Sequence, residues 1–572
     1  MKWLAAGLAF VFAEICTAIL LGFVFSGLSL PLVGPALAAG AIAGLAAWRS
    51  TTDVAMPRAG RWDGIALTAF GLVSLRAFLW LIYGRGNEIC VLSPNNLGDM
   101  SLHLNFIRYF ANGAPFWPES PILSGVPLSY PLGADLFNSL IEICGGDTMR
   151  GLVWTGLGGA ALTGYALWRW GGAFGVAAFL CNGGLLGFVA LRTLQIEDFQ
   201  RDVPWKNFFL AMFVTQRGLL FALPAGLLLL YAWREEFFRS GKRLLPVWLQ
   251  ILLYAALPLF NFHAFLFLSL ILAAIFVSRK AARRGLLRLV AWAFVPATVC
   301  VVLVTGFFSA SSGLRWMPGW ILDGKGWMAL VWNFGLTLPV VLALTVVLAR
   351  SKDAEARCFV GSALIIFLMC CAVIFTPWEW DNMKLMMWSW LVIAPYLWTN
   401  LIAGLQLPAR AALCFVLFFS GAVSLAGGLD TRHGYGIARR SELDAWRHAV
   451  ADIPPEGRFA IVPDYNHPLI LLGRKVVCGY EGHLWSHGLK FQDQLALLQS
   501  SLDGTADWRT SAPVLDADWL ALRQRDYSPA KPPGDLPPAG LGALYDLRQL
   551  KPGSDSQAPL PVPPRPVDSS WW

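Results

Sequence analysis

The feature that most constrains this chain is a succession of long apolar runs, beginning with Trp3 to Leu28 and recurring to about residue 427. About 20 apolar residues carry a helix across a bilayer, with a range of roughly 17–25. In lipid every backbone polar group needs an internal partner, so such runs fold as helices. Thirteen spans are predicted, at 3-27, 31-48, 63-84, 151-170, 173-192, 218-233, 245-260, 263-278, 286-307, 328-349, 358-376, 384-404 and 409-427. Composition agrees: 56% of residues are hydrophobic and 14% charged, against roughly 45–50% and about 25% in soluble domains. The net charge of +8 does not indicate a nucleic-acid partner, because the basic residues lie between apolar runs and not on one soluble face. The first run has no small-residue cleavage site after a short apolar core and reads as a retained helix.

Lys and Arg in short loops set the orientation. Arg49, Arg58 and Arg61 mark one cytoplasmic loop, and Arg234, Arg239, Lys242 and Arg243 a second. Arg279, Lys280, Arg283, Arg284 and Arg288 mark a third, and Arg350, Lys352 and Arg357 a fourth. The second and third flank one apolar run, which turns near Asn261 and His263. The N-terminus is then cytoplasmic, and 85-150, 193-217, the turn at 261-263, 308-327, 377-383 and 428-572 are extracytoplasmic. After Gly428 the composition turns polar. Helices are expected at 439-452 and 491-502, and strands at 458-462, 476-480, 518-523 and 543-549. The expected fold class is an all-α polytopic membrane bundle (1-428) with a small C-terminal α/β extracytoplasmic domain (429-550) and a Pro-rich disordered tail (551-572).

The unusual chemistry gathers in the external stretches. Loop 85-150 holds two amphipathic segments, Met100 to Asn112 and Ala134 to Cys144, expected to lie in the interface plane. Asp99 precedes the first segment, either as a helix N-cap or as a reactive carboxylate, and His103 follows one turn later on the same face. The turn from Pro377 to Lys384 places Glu379, Asp381 and Lys384 among tryptophans. Arg217 begins a span at its outer edge, where it either snorkels or binds phosphate through its planar fork of donors. Tyr480, His483, Trp485 and His487 suit sugar stacking and hydroxyl contacts. With Asp464, His467 and Glu481 the same stretch is also a candidate metal cluster. Inside the bundle, Glu14 and Arg76 lie at matching depths and are expected to pair. Cys90 and Cys144 share one external loop, where a disulfide is compatible with the compartment. No P-loop, Rossmann fingerprint or nucleophile elbow is present.

The run GDMSLHLNFIRYFANGAPFWPESPILSGVPLSYPLGADLF (98–137) resembles the first long external loop of GT-C membrane glycosyltransferases, which draw sugar from polyprenyl phosphates. Similarity to uncharacterised bacterial members extends through VTQRGLLFALP (214–224), LPLFNFHAFL (257–266), FTPWEWDNMK (375–384) and GRKVVCGYEGHLWSHG (473–488). The resemblance implies a hexosyl- or pentosyltransferase of the bacterial inner membrane, with a polyprenyl-phosphate-linked donor and a glycan, lipid or protein acceptor. Asp99 matches the acidic residue that serves the family as base. Asp381 is the candidate second acid, with or without a divalent Mg or Mn. His103, Arg217, His263, Glu379, Lys384, Tyr480, His483, Trp485 and His487 are candidate substrate contacts. One departure is that many members carry paired acids in this loop, whereas Met100 follows Asp99. A transporter or flippase would also need intramembrane charges such as Glu14 and Arg76, but no inverted repeat is visible. A non-catalytic assembly protein that binds through 428-572 is a third reading.

Overall fold

The structure, a computed structural model, describes residues 1–550 except 53, 55–57, 310–312, 323, 431–433, 527–529, 531–532, 535–537 and 539–543. The tail expected at 551–572 lies outside the described residues. The chain opens with α1 (Lys2–Phe25), α2 (Leu30–Ser50) and α3 (Arg61–Leu79). A hairpin, β1 (Tyr83–Arg85) and β2 (Glu88–Val91), leads to α4 (Leu97–Ala111) and α5 (Gly133–Ile143). Then come α6 (Thr148–Leu180), α7 (Val189–Thr193), α8 (Leu219–Phe237), α9 (Val247–Phe260), α10 (Phe262–Ser278) and α11 (Arg283–Val304). Strands β3 (Arg315–Trp316) and β4 (Val373–Ile374) flank α12 (Trp327–Phe334), α13 (Thr337–Arg350) and α14 (Ala354–Cys370). The bundle closes with α15 (Asn382–Leu397) and α16 (Leu407–Gly428).

Among the described residues, six helical stretches, built on α1, α2, α3, α11, α15 and α16, are long and apolar enough to cross a membrane. The pair α12 and α13, bent by 83°, makes up to seven. Gly335 stands at the bend with φ 51°, in the region that favours glycine. The thirteen expected spans exceed this count for identifiable reasons. Span 151-170 and the start of 173-192 fall on one helix of 33 residues, α6, which is kinked at Gly172 and ends at Leu180. The kink frees the Ala173 N–H, which donates to Asp63 Oδ1 at 2.8 Å. The helices α9 and α10 have only 14 and 17 residues and break at Asn261, whose Oδ1 accepts from Ala264 N–H at 2.9 Å. The last turn of α8 carries Arg234, Glu235 and Glu236.

Helices α8 and α15 form the centre. Every residue of α8 from Leu219 to Arg234 is buried, as is every residue of α15 except Lys384. Gly226 lets α8 meet the Trp388 ring where a Cβ would clash. Because α15 begins directly after the Glu379–Asp381 turn, that turn is anchored to the most buried helix of the protein. Glu14 and Arg76 form no ion pair, contrary to expectation. The guanidinium of Arg76 lies over Trp80, 4.5 Å from the ring centroid, and α3 packs mainly against α6 while α1 packs mainly against α2. All ten cysteines are free, so the Cys90–Cys144 bridge is absent. Cys90 is buried in a strand and Cys144 is exposed at the end of α5.

After α16 come β5 (Tyr435–Arg439), α17 (Arg440–Ala449), β6 (Arg458–Ile461), α18 (Pro468–Leu471), β7 (Lys475–Val476), α19 (Glu481–Ser486), α20 (Gln492–Leu502), α21 (Trp508–Leu515), β8 (Trp519–Ala521) and β9 (Leu544–Asp546). The other expected helices and strands here each contain an observed one, but the strand expected at 476-480 is not formed: β7 ends at Val476, the first residue of that stretch. One sheet has the order β7-β6-β8-β9, with β6 parallel to β7 and β8, and β9 antiparallel to β8. A second, β1-β2-β5, joins the first loop to the chain after α16.

The same two regions also meet through α4. Asn105, Arg108 and Asn112, on one helical face, donate to the carbonyls of Ile470, Leu471 and Leu472 at 2.9, 2.7 and 3.1 Å. These carbonyls end α18, where intrahelical partners run out. Buried from Met100 to Ile107, α4 is covered and does not lie half-exposed at an interface as expected. Glu119, in the following stretch, accepts from Arg458 at 3.1 Å and from Lys475. Regions 85–150 and 435–487 therefore occupy the same end of the bundle. Replacing Asn105 by Ala removes a buried side-chain donor to the Ile470 carbonyl, which keeps the Gly473 N–H at 3.0 Å, and should destabilise the fold by about 0.5–1.5 kcal/mol. A fall in the thermal midpoint of the detergent-solubilised protein, with far-UV circular dichroism unchanged, is the expected result.

Candidate functional site

Three segments distant in sequence converge where the first loop meets the α15 turn. Asp99 occupies the first turn of α4, but the N-cap is Asn96, so Asp99 is not the cap that its position before an apolar stretch suggested. Its half-buried carboxylate has no hydrogen-bond or ion-pair partner among the described residues. Burial raises the Asp99 carboxyl above its ordinary value; the charges of His103 and Lys384 oppose this and that of Asp381 adds to it. A carboxylate without donors in a partly dry site is a stronger base than one in water.

His103 lies one turn beyond Asp99 and is buried. Its Nδ1 meets Asp135 Oδ1 on α5 at 2.9 Å. Such a contact sets which ring nitrogen carries the proton and fixes the ring's orientation. Tyr130 bridges onward, its ring 6.1 Å from His103 and 5.0 Å from His487. Burial pushes the Tyr130 phenol well above its ordinary value, and Asp135, Asp99 and Asp381 add to the shift, so it remains a hydrogen-bond donor.

From the α15 turn, Lys384 Nζ pairs with Asp381 Oδ1 at 2.9 Å. Glu379 faces Arg315 at 3.7 Å and is about one third exposed. The turn touches the third segment through Trp378 and Trp485, whose rings are 6.4 Å apart. In that segment the Tyr480 and His483 rings are 5.3 Å apart, and a Cβ on Gly98 would stand 3.1 Å from His483 Nε2. Burial lowers His483 to about 4, helped by the charge of His103, and lowers His487 to about 3, helped by His483. Both are neutral imidazoles near pH 7. Tyr480 and Trp485 are the exposed rings at the rim, at 39% and 47%. His263, at the start of α10, is buried within reach of the charges of Asp381 and Lys384, and its Nε2 has no hydrogen-bond partner.

Thus Asp99, His103, His263, Asp381, Lys384, His483 and His487 come together, with Glu379, Tyr480 and Trp485 around them. Arg217 departs from expectation. It is fully buried, donates to the Leu152 carbonyl at 2.7 Å and lies 5.9 Å from the Phe78 ring centroid. It feels the charge of Asp135 but offers no fork at a surface. Asp135 and Tyr130 were not singled out as site residues; in sequence Asp135 belongs to an ordinary amphipathic stripe. The candidate metal cluster disperses. Asp464 pairs with Arg523 and Arg525 at 2.6 and 2.8 Å, and His467 Nδ1 accepts the Leu469 N–H. Among the described residues no group of three or more His, Cys, Asp or Glu side chains is arranged to hold a metal ion.

No protein-family model matches the sequence, and no curated protein matches it. Solved structures similar to it include the Archaeoglobus fulgidus oligosaccharyltransferase tethered with an acceptor peptide containing the NVT sequon, at 11% identity and TM-score 0.47. The same enzyme in the apo form has 12% identity and TM-score 0.41. Archaeal oligosaccharyltransferase AglB from Archaeoglobus fulgidus, in complex with an inhibitory peptide and a dolichol-phosphate, has 10% identity and TM-score 0.39. The first two alignments cover 80% of this chain and the third 81%, with 69% of the other chain in each case.

A carbon-detected NMR titration of the Asp99 carboxyl should place its midpoint above the ordinary Asp value of about 3.9. Replacing Lys384 by Met removes an opposing cation and should move that midpoint up. Replacing Asp381 by Asn removes a like charge and should move it down.

Proposed function

We propose that this chain is a membrane glycosyltransferase that moves a sugar from a polyprenyl-phosphate donor to an extracytoplasmic acceptor with inversion. The observation that carries the reading is the unpartnered, half-buried carboxylate of Asp99 beside the Lys384 ammonium. It is supported by the resemblance of residues 98–137 to the first external loop of GT-C enzymes. In this reading residues 1–428 form the transmembrane domain, with loop 85–150 outside, and 429–550 form a soluble extracytoplasmic α/β domain. The N-terminus is cytoplasmic, and the membrane is the bacterial inner membrane.

Asp99 takes the proton from the acceptor hydroxyl as its oxygen attacks the anomeric carbon. The bond from that carbon to the phosphate oxygen breaks in the same displacement, which inverts the centre. Lys384, held by Asp381, stabilises charge on the departing phosphate. His103, oriented by Asp135, and the neutral His483 and His487 contact sugar hydroxyls, while Tyr480 and Trp485 offer stacking faces at the rim. Arg217 acts from behind the site on Asp135 and not on the phosphate.

Incubation of the purified protein with a panel of polyprenyl-phosphate sugars should reveal one that is turned over. Because Asn96 and not Asp99 caps α4, Asp99→Asn should keep the fold and donor binding while lowering turnover at least about 100-fold. An Asp99→Asn protein that turns over normally would end the assignment of the base. Only the ionised carboxylate accepts a proton, so the wild-type rate should fall as pH drops through the raised Asp99 value. In Lys384→Met that acid limb should move to higher pH.

A further inference from the structure

We propose that the start of α10 seats the phosphate of the lipid-linked donor together with Lys384, through the amides of Phe262 and His263 and the His263 imidazole. The inference rests on the functional reading above for the identity of the ligand. The apolar run from Pro246 to Val277 breaks at Asn261, whose φ of −156° and ψ of 111° interrupt the helix. Asn261 Oδ1 accepts the Ala264 N–H at 2.9 Å, and its carbonyl accepts the Phe265 N–H at 3.3 Å. The two amides before these, of Phe262 and His263, stand in the first turn, where a helix offers them no acceptor of its own. Such a helix start favours an anion through its free amides and its dipole. The side chain of His263 adds an independent sign of a ligand. It is 8% exposed, and its Nε2 has no hydrogen-bond partner. A buried ring nitrogen without a partner bears a desolvation cost that a ligand oxygen removes.

Packing sets this helix start beside the site. Phe260, just before the break, lies against Gly133 at the start of α5, where a Cβ would stand 2.8 Å from its ring, and Asp135 follows two residues later. One turn into the bundle the rings of Phe267 and Trp388 stack 5.7 Å apart. His263 and Lys384 stand four residues earlier on the same faces of these two helices and therefore share a level. The charges of Lys384 and Asp381 both reach His263. The donor phosphate, a diester, carries one negative charge. When the bond from the anomeric carbon to the phosphate oxygen breaks, its electron pair passes to that oxygen, the acceptor's proton goes to Asp99, and the phosphate leaves with a second charge. Donors fixed where charge develops stabilise the transition state more than the bound substrate, so loss of His263 should lower kcat more than it raises KM.

The test adds farnesyl phosphate, farnesol or inorganic phosphate to the full chain in lipid nanodiscs. In wild-type protein with 15N-labelled histidine, farnesyl phosphate should move the His263 Nε2 resonance and farnesol should not. H263F keeps a ring but no donor and should weaken farnesyl phosphate binding at least about tenfold. H263Q, whose side-chain amide donates, should recover most of that loss, and farnesol should bind all three proteins equally. An unmoved His263 resonance, or undiminished farnesyl phosphate binding by H263F, overturns the proposal. Inorganic phosphate that binds at His263 as tightly as farnesyl phosphate overturns the assignment to a lipid-linked donor. If H263F does not fold, the wild-type resonance decides. Donor turnover is read separately. A chain that turns over donor while His263 fails these tests overturns this inference alone, and one whose His263 holds farnesyl phosphate but that turns over no polyprenyl-phosphate sugar overturns the functional reading alone.

Discussion

Asn105, Arg108 and Asn112 stand three and four residues apart on α4 and close the end of α18 by taking three successive carbonyls. A short helix buried at its C-terminus must find donors for those groups or bear the desolvation cost of each. Here the donors come from a helix more than 350 residues earlier. This junction seats the chain after α16 against the first loop, and the Glu119 cluster and the β2–β5 pairing hold the same two regions from the side. His483 reaches Gly98 and His487 reaches Tyr130 only because that seat exists.

The electrostatics of the site follow from how much water each group has lost. Asp99 lacks hydrogen-bond donors and is pushed toward the proton-bound state, yet His103 and Lys384 keep it accessible as a base. The buried histidines behave in the opposite sense: loss of water discharges them, so they lie beside the carboxylates without adding cations. The result is a site with one unpartnered carboxylate, one ammonium tied to Asp381, and neutral imidazoles around them. In the function proposed above, such a set meets a neutral sugar next to an anionic leaving group.

Much of this was legible because polar residues inside apolar or aromatic stretches stand out. Asp99, His103, Asp381, Lys384, His483 and His487 each interrupt such a stretch, and all six converge. What could not be read is azimuth and depth. Glu14 and Arg76 sit at comparable heights along their helices, but height does not say which helix faces which, and α3 turned to α6. Arg217 looked like a span edge because an apolar run starts just after it, whereas the surrounding chain folds over it entirely. Asp135 went unmarked because its partner, His103, lies 32 residues away on another helix. Apolar runs of 14–17 residues do not distinguish a membrane span from a short helix packed among others.

The bond between Ser101 and Asn466 joins residues 365 positions apart, and the consequence is one of timing. A ribosome delivers about 5–20 residues per second, so the first loop is made and α4 can form well before the segment that completes its surroundings. Until the last hundred or so residues emerge, Gly98 has no His483 against it and α4 lacks its cover. Assembly of the site is therefore a late event in biosynthesis, and a nascent or truncated chain would carry its first helices without the completed site.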